Sequence, residues 1–224
     1  MKRDVTTEPS AQSTYFTVEH GRTHCLLRFN SLDGTNRMTQ SFVEQLTAAL
    51  RELAQSSVPM VITGNRTFFS AGADLNEIAA LTGPTAFDFS KMGQALMIEI
   101  ERFPAPVYAA ISGYCMGGGL DLALACHSRI ASPNSVFGHR GAALGLITGW
   151  GGTQRLPRLV GKGRALQMFV AAEKLNSEEA LRIGLIDAIA DDPVMEAVHR
   201  IKLRSESSPD TPPRIAPLRP AGIR

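Results

Sequence analysis

The chain has 224 residues, of which 44% are hydrophobic and 20% are charged, and its formal net charge is +2. This length and apolar content are enough to bury one substantial core. This nearly balanced charge, without a basic run flanked by aromatic residues, gives no electrostatic reason to expect nucleic acid as a partner. No apolar stretch reaches about 18 residues, and the polar start MKRDVTTEPS lacks a secretory apolar segment, so neither a membrane span nor secretion is expected.

The first predicted elements are a β-hairpin and an amphipathic helix. Two short apolar segments flank the turn at His20-Gly21, which predicts the hairpin, and the polar loop SLDGTN follows. From Thr39 onward, apolar residues recur at the spacing of one helix face. The cysteines Cys25, Cys115 and Cys126 are odd in number and lack metal-ligand spacing. They are therefore interpreted as buried free thiols of a cytoplasmic protein.

The middle of the chain alternates between strands and helices. The segment VPMVITG predicts a buried strand, and FFSAGADLNEI predicts a strand, a glycine turn and a helix start. Gly83-Pro84 opens another helix, whose apolar stripe includes Phe87. The buried strand APVYAAISG then leads directly into GYCMGGGLDLALAC. This alternation indicates an α/β architecture with a mostly parallel sheet.

The last third of the chain is predicted to be helical after GWGGTQRL. Ser177 is interpreted as an N-cap and Gly184 as a helix end. The predicted organisation is a flexible N-terminus (1–12), one core domain (13–190), a short C-terminal helix (191–204) and a disordered tail rich in proline and serine (205–224).

Asp121 is the one charged residue of the apolar segment LDLALAC, and three consecutive glycines precede it. Glycines at a helix start leave backbone amides without a helical acceptor, where a phosphate or a developing oxyanion can bind. A buried carboxylate is unfavourable unless it is hydrogen-bonded or paired, or unless its pKa rises. Asp121 is therefore either an acid/base group or a structural residue that anchors a loop or pairs with an arginine.

A second stretch of small residues has the same character. In FFSAGADL a strand ends at Ser70, the chain turns through 71–73, and Asp74 is placed to cap the next helix. Small residues again expose amides, here near Ala73. If the two strands lie in adjacent layers, the amides of Ala73 and Gly118 converge on one oxygen.

Four motifs occur in the order, and at roughly the spacing, seen in the crotonase superfamily: FFSAGADLNEI, PVYAAISGYCMGGGLDLALACHSRIAS, FGHRGAALGLITGWGGTQRLPRLVGKGRALQM and EEALRIGLIDAI. The chain resembles that superfamily, which includes the enoyl-CoA hydratases and isomerases, over about residues 13 to 200. The resemblance implies an α/β fold built as a ββα superhelix, here with a shortened C-terminal helical region. It also implies binding of acyl-CoA thioesters and assembly into trimers or dimers of trimers.

By position, the resemblance implies that the amides of Ala73 and Gly118 form an oxyanion hole for the thioester carbonyl. Asp121 would be the main acid/base group. Contacts to the substrate and its CoA are implied for Ala71, Gly72, Ala73, Asp74, Leu75, Gly117 and Gly118. The CoA thioester is the substrate, and no cofactor and no metal are expected.

The chain departs from the superfamily at one carboxylate. Hydratases of the superfamily use two glutamates to hold the attacking water and move its proton. The first position is Asp121 here, and the second is Gly141, which has no side chain. His139 and Arg140 precede Gly141 and are candidates for compensation. The alternatives are a hydrogen-bonded histidine at a strand end and an arginine in an ion pair.

Three functions stay open at this point. A hydratase or isomerase of fatty acid metabolism, with Asp121 as its acid/base group, agrees with the intact oxyanion motifs. Another crotonase reaction, such as thioester hydrolysis, decarboxylation or a retro-aldol cleavage, would use the same motifs. A non-catalytic acyl-CoA binding protein would agree with Gly141. We expect Gly141→Glu to raise hydration if that glycine tolerates a side chain.

Overall fold

The computed structural model describes residues 13–206, which form eight α-helices and twelve short strands. The helices are α1 (Gln40–Leu53), α2 (Leu75–Ala79), α3 (Gly83–Glu101), α4 (Gly118–Ala125), α5 (Gly152–Val160), α6 (Lys162–Val170), α7 (Ser177–Arg182) and α8 (Pro193–Glu206). The strands are β1 (Phe16–His20), β2 (Cys25–Phe29), β3 (Arg37–Met38), β4 (Met60–Thr63), β5 (Phe68–Ser70), β6 (Gly72–Ala73), β7 (Val107–Ile111), β8 (Tyr114–Met116), β9 (Ser128–Ala131), β10 (Val136–Gly138), β11 (Leu175–Asn176) and β12 (Ala188–Ile189).

A repeated strand–strand–helix unit organises these elements. The larger sheet has the order β1-β2-β4-β7-β9-β12 and is parallel except for the β1–β2 hairpin. A second sheet of four strands, called the smaller sheet below, has the order β11-β10-β8-β5 and is parallel except for the β10–β11 pair. The short strands β3 and β6 form a separate parallel pair. The strand pairs β4/β5, β7/β8 and β9/β10 each contribute one strand to each sheet. Successive units therefore stack side by side, which confirms the ββα superhelix.

The core lies between the two sheets and the helices that cover them. Every residue of β4 and of β7 is buried, as is typical of central strands in a parallel sheet. Helix α4 is also buried along nearly its whole length, as its uniformly apolar sequence predicts. A separate apolar cluster joins β4, β7 and β9 to Ala197 and Ile201 of α8, which covers the other face of the larger sheet. Cys25, Cys115 and Cys126 are buried free thiols, as predicted.

Three local features differ from the sequence-based predictions. The N-cap of α7 is Asn176, whose side chain accepts from the Glu179 amide, whereas the Ser177 hydroxyl donates to the Ser132 carbonyl at 2.6 Å. Phe87 is 64% exposed instead of packing into the core. Helix α8 spans Pro193–Glu206 instead of 191–204, so it continues two residues into the segment predicted to be disordered. The rest of that segment and residues 1–12 lie outside the described residues.

None of the helices within 13–206 combines the length and the apolar character needed to cross a membrane.

Candidate active site

A cavity of about 830 Å³ lies where the smaller sheet meets α2, α3, α4, α6 and the segment 139–150. Nearly all the sequence-predicted site residues line it: Ala71, Gly72, Ala73, Leu75, Gly117, Gly118, Asp121, His139, Arg140 and Gly141. Asp74 is not part of this wall. Its side chain accepts hydrogen bonds from the Asn76 and Glu77 amides at the start of α2 and lies 3.7 Å from Arg37.

The backbones of Ala73 and Gly118 lie side by side at one end of the cavity. Gly118 is the first residue of α4, so its amide has no helical acceptor. A β-carbon on Gly118 would lie 3.4 Å from the Ala73 nitrogen, and one on Gly72, which has φ +98°, would lie 2.8 Å from the Met116 carbonyl oxygen. Two glycines therefore permit this close approach. The segments follow β5 and β8, which are neighbours in one sheet and not strands of adjacent layers.

Asp121 projects from α4 into the same cavity wall and is only 1% exposed. Its Oδ2 accepts a hydrogen bond from the Thr148 hydroxyl. Burial raises the pKa of Asp121 to about 7, and the Thr148 hydrogen bond, the Arg155 charge and the Trp150 main chain oppose that rise. Among the described residues that form the wall, Asp121 is the only carboxylate. The described residues of this wall therefore provide no second carboxylate beside Asp121.

His139 lies directly after β10 and is brought against Asp121. The two atoms Nε2 of His139 and Oδ1 of Asp121 are 3.4 Å apart, and the imidazole ring packs on Phe169 with ring centroids 5.2 Å apart. Burial lowers the pKa of His139 to about 4, so the imidazole is neutral at neutral pH. His139 is at a strand end, as the alternative interpretation held, but its Nε2 has no hydrogen-bond partner among the described residues.

Arg140 and Gly141 follow in the cavity wall. Arg140 is exposed and forms no salt bridge with any residue within 13–206. A β-carbon on Gly141 would lie 2.7 Å from the Leu146 carbonyl oxygen. Gly141→Glu therefore displaces backbone, and the expected gain in hydration is not a clean test of the missing carboxylate.

Two residues of the site, Thr148 and Gly152, were not found from the sequence. Thr148 is 27 residues from Asp121, and no motif marks it as a partner. A β-carbon on Gly152 would collide with Asp121 Oδ1 and would lie 3.1 Å from His139 Nε2. The sequence feature that could have indicated Gly152 is the glycine pair in GWGG, at which α5 begins, as predicted. Trp150 of the same motif is buried, and its Nε1 donates to the Phe89 carbonyl at 3.2 Å, in keeping with a packing role.

The rest of the wall combines apolar side chains with two cations. Arg140 and Lys174 carry the positive charge, and the Lys174 ammonium lies 5.8 Å from the centroid of the Tyr114 ring. Each aliphatic side chain on one side of the cavity is more than a third exposed: Leu144, Leu146, Ile147, Leu166 and Val170. No group of three or more His, Cys, Asp or Glu side chains in the described part of the chain is placed to hold a metal. This wall suits a ligand with a long apolar part.

A family model described as enoyl-CoA hydratase/isomerase matches residues 19–211, which is most of the chain. The chain belongs to the enoyl-CoA hydratase/isomerase family. Its fold is also similar to solved structures. Pseudomonas aeruginosa DspI is 34% identical, with a TM-score of 0.83 over 88% of this chain and 82% of that chain.

Two enoyl-CoA hydratases are about as similar. The enzyme from Bacillus anthracis is 29% identical, with a TM-score of 0.82 over 87% of this chain and 78% of that chain. The enzyme from Thermoplasma volcanium is 30% identical, with a TM-score of 0.82 over 88% of this chain and 79% of that chain. These matches confirm the crotonase-superfamily fold that the four motifs indicated.

Proposed function

We propose that this protein is an acyl-CoA enzyme of the hydratase/isomerase type. Asp121 is its main acid/base group, and the amides of Ala73 and Gly118 stabilise a thioester enolate. Family membership supports a crotonase-type acyl-CoA enzyme. The observation that carries the assignment of Asp121 is its position: a buried carboxyl group with a pKa near 7, in the same cavity wall as the two amides.

The chemistry follows from this arrangement. Ionised Asp121 takes a proton from the α-carbon, and the electron pair of that C–H bond moves toward the thioester oxygen, which gains enolate character. Two fixed amide donors aimed at that oxygen are worth several kcal/mol, about 3 for each donor in comparable sites. Return of the proton to another carbon completes an isomerisation with one base. One-base isomerisation is the reaction that a single carboxylate favours most.

The acyl chain is proposed to lie along the aliphatic side of the cavity. The side chains of Leu144, Leu146, Ile147, Leu166 and Val170 are exposed there, in the same cavity as Asp121. A bound acyl chain would remove this apolar surface from water. The CoA would run along residues 71–75 and past Gly117. The substrate is the CoA thioester itself, and we propose no cofactor and no metal.

Assembly and compartment are further parts of the proposal. A homotrimer or a dimer of trimers is implied by the superfamily, and light scattering of the purified protein tests it. A reducing cytoplasm is consistent with the three buried free thiols.

Other functions are favoured by one observation, at Gly141. The second carboxylate is missing, and the Leu146 carbonyl oxygen lies where a side chain at this position would begin. A site rebuilt in this way agrees with a different crotonase reaction, such as thioester hydrolysis or decarboxylation, or with an acyl-CoA binding protein that has no turnover.

Ultraviolet absorbance of the conjugated enoyl thioester separates these functions. Hydration of crotonyl-CoA lowers the absorbance, and isomerisation of vinylacetyl-CoA raises it. Release of free CoA, measured with a thiol reagent, reveals thioester hydrolysis. Binding of acyl-CoA without any of these changes would favour the binding protein and contradict the proposed enzyme.

A further inference from the structure

Two buried polar atoms, one from Asp121 and one from His139, lie close together in the cavity wall. Asp121 Oδ1 and His139 Nε2 are shielded from solvent, and neither has a hydrogen-bond partner among the described residues. They are 3.4 Å apart. Buried polar atoms are nearly always hydrogen-bonded, and catalytic hydrogen bonds are often long before substrate binds. Each atom is therefore the natural partner of the other.

The groups around Asp121 and His139 leave space for these two side chains to contact each other. The Thr148 hydroxyl donates to the other carboxyl oxygen of Asp121, Oδ2, and the Trp150 main chain also favours the ionised carboxylate. The charged and titratable neighbours are Arg155 of α5, whose charge lowers the pKa of Asp121, and the Cys115 thiol of β8, whose own pKa is raised by burial. Gly152 has no β-carbon, and one placed there would collide with Oδ1. The chain thus keeps room for the carboxyl group and the imidazole to meet.

We propose that His139 is a positioning residue for Asp121: its neutral imidazole donates the Nε2 hydrogen to Oδ1 and stabilises the ionised carboxylate. This inference rests on the proposed function, in which Asp121 is the acid/base group. A neutral donor is available because burial keeps His139 uncharged at neutral pH. An ionised second carboxylate could not supply this donor, because it has no hydrogen to donate and would repel ionised Asp121.

The proton balance of the step is simple. The proton from the α-carbon goes to Oδ2, and the same oxygen gives it back, while the Nε2 hydrogen stays on His139 throughout. The Thr148 hydroxyl donates to Oδ2 in the ionised form and can accept from Oδ2 in the protonated form, because a hydroxyl group does both. His139 therefore changes the proton affinity of Asp121 without taking a proton itself.

Carbon NMR of protein labelled at the aspartate carboxyl carbons tests the proposal without any substrate. The Asp121 signal, assigned by its loss in Asp121→Asn, is titrated in the wild type, His139→Phe and His139→Gln. Phenylalanine keeps a ring against Phe169 but removes the donor, so the titration midpoint should rise by about one to two pH units. Glutamine keeps an N–H donor and should return the midpoint toward the wild-type value.

His199→Gln is the matched control, because His199 is an exposed histidine of α8, and it should leave the midpoint unchanged. An unchanged midpoint in His139→Phe, or a midpoint in His139→Gln as high as in His139→Phe, overturns the proposal.

Nitrogen NMR of the wild type gives a second test that needs no His139 variant to fold. At neutral pH the Nε2 signal of His139 should be that of a protonated nitrogen, and it should change in Asp121→Asn. An unprotonated Nε2 contradicts the proposed donor. The two hypotheses can fail independently. A lack of turnover with every acyl-CoA would contradict the proposed function, but both NMR measurements could still be made and interpreted.

Discussion

At the scale of single residues, burial acts in opposite directions on the two titratable groups of the site. It raises the pKa of Asp121 from 3.8 to about 7 and lowers the pKa of His139 from 6.5 to about 4. Both groups are therefore held toward their neutral forms. The sequence marked Asp121 as unusual because it is a charge in an apolar helix, but the proximity of His139 depends on how β10 and α4 pack. Thr148 could not be identified from the sequence either, because its contact with Asp121 also depends on packing.

These pKa changes make opposite contributions to stability. The folded chain keeps a proton on Asp121 that the unfolded chain loses above pH 3.8, so this contribution falls as the pH rises from about 4 to 7. The unfolded chain binds a proton at histidine that folded His139 rejects, so this contribution rises from about pH 4 to 6.5. Between about pH 4 and 6.5 the two oppose each other in the wild type.

Single substitutions should therefore expose each contribution. Relative to the wild type, the free energy of unfolding of Asp121→Asn should rise with pH between about 4 and 7, because the opposing Asp121 contribution is lost. Relative to the wild type, the free energy of unfolding of His139→Gln should fall as the pH rises from about 4 to 6.5, because the His139 contribution is lost. Urea unfolding across this range measures both slopes, with the exposed Asp88→Asn as control. Slopes in both variants equal to that of the wild type would contradict the assigned pKa values.

The amide of Gly118 gives a second prediction at this scale. Gly118→Pro removes the N–H donor but adds a β-carbon 2.5 Å from the Trp150 ring. Gly118→Ala adds the same β-carbon and keeps the donor, so it is the matched control. Both variants should lose stability, by about 1–3 kcal/mol from overpacking. Only the proline variant should lose the preference for acyl-CoA over free CoA in calorimetric binding.

Equal preference in Gly118→Pro and Gly118→Ala would show that this amide does not bind the thioester oxygen.

At the scale of elements, the start of α5 is fitted closely to α3 and α4. Trp150 lies against Gly93 of α3 and Gly118 of α4, and a β-carbon on either glycine would collide with its ring. Arg155 then ties α5 to Glu101 of α3 through a contact of 2.8 Å. The sequence predicted a helix near GWGGTQRL but not this fit, because the fit depends on residues from three separate helices.

The N-cap of α7 is another feature that depends on tertiary contacts and could not be predicted from the sequence alone. Ser177 was predicted as the N-cap of α7, but the preceding residue, Asn176, is of an equally good capping type. The tertiary structure decides between them, because the Ser177 hydroxyl is used by the Ser132 carbonyl. The exposure of Phe87 is a similar case, because the stripe on α3 continues at helical spacing beyond the part of the helix that packs on the core.

Because the start of α5 is closely packed, we expect a glycine-to-alanine substitution there to be far more destabilising than one at an open helical position. Gly152→Ala places a methyl group against Asp121, Thr148 and His139 and should destabilise the protein by about 1–3 kcal/mol while moving the Asp121 side chain. Gly163→Ala is the control, because Gly163 lies in α6 with no atom within 4 Å of the added carbon. It should be neutral or stabilising by up to about 1 kcal/mol.

Thermal unfolding and initial rates of both variants provide the measurement. A Gly152→Ala protein as stable and as active as Gly163→Ala would contradict the close packing described for the site.

At the scale of the whole molecule, the superhelix brings distant segments to one cavity. The sequence alone predicted an α/β fold with a mostly parallel sheet. The division into two sheets came from the resemblance, since strands of two or three residues, such as β5 and β6, are too short to show a period of their own. The apolar side of the cavity was not predicted, because Leu166 of α6 and Ile147 are brought together only by the fold.

This apolar side predicts a preference for longer acyl chains. Leu166→Ser should weaken the binding of decenoyl-CoA by about tenfold, roughly the contribution of one partly buried leucine, and should leave crotonyl-CoA binding nearly unchanged. Leu32→Ser is the control, since Leu32 is fully exposed in a loop and does not line the cavity. Calorimetric titration measures both. Equal weakening for the short and the long chain would show that Leu166 does not contact the distal acyl chain.

The central claim is that Asp121 exchanges a proton with the α-carbon of a bound thioester. Its most direct measurement is hydrogen exchange at the α-carbon of vinylacetyl-CoA in deuterated water, followed by mass spectrometry. The account predicts that the wild type incorporates deuterium faster than buffer alone. Asp121→Asn should bind the thioester but exchange at least 100-fold more slowly, in line with the ~10²–10⁴-fold effect of a general base. Exchange in Asp121→Asn as fast as in the wild type would contradict it.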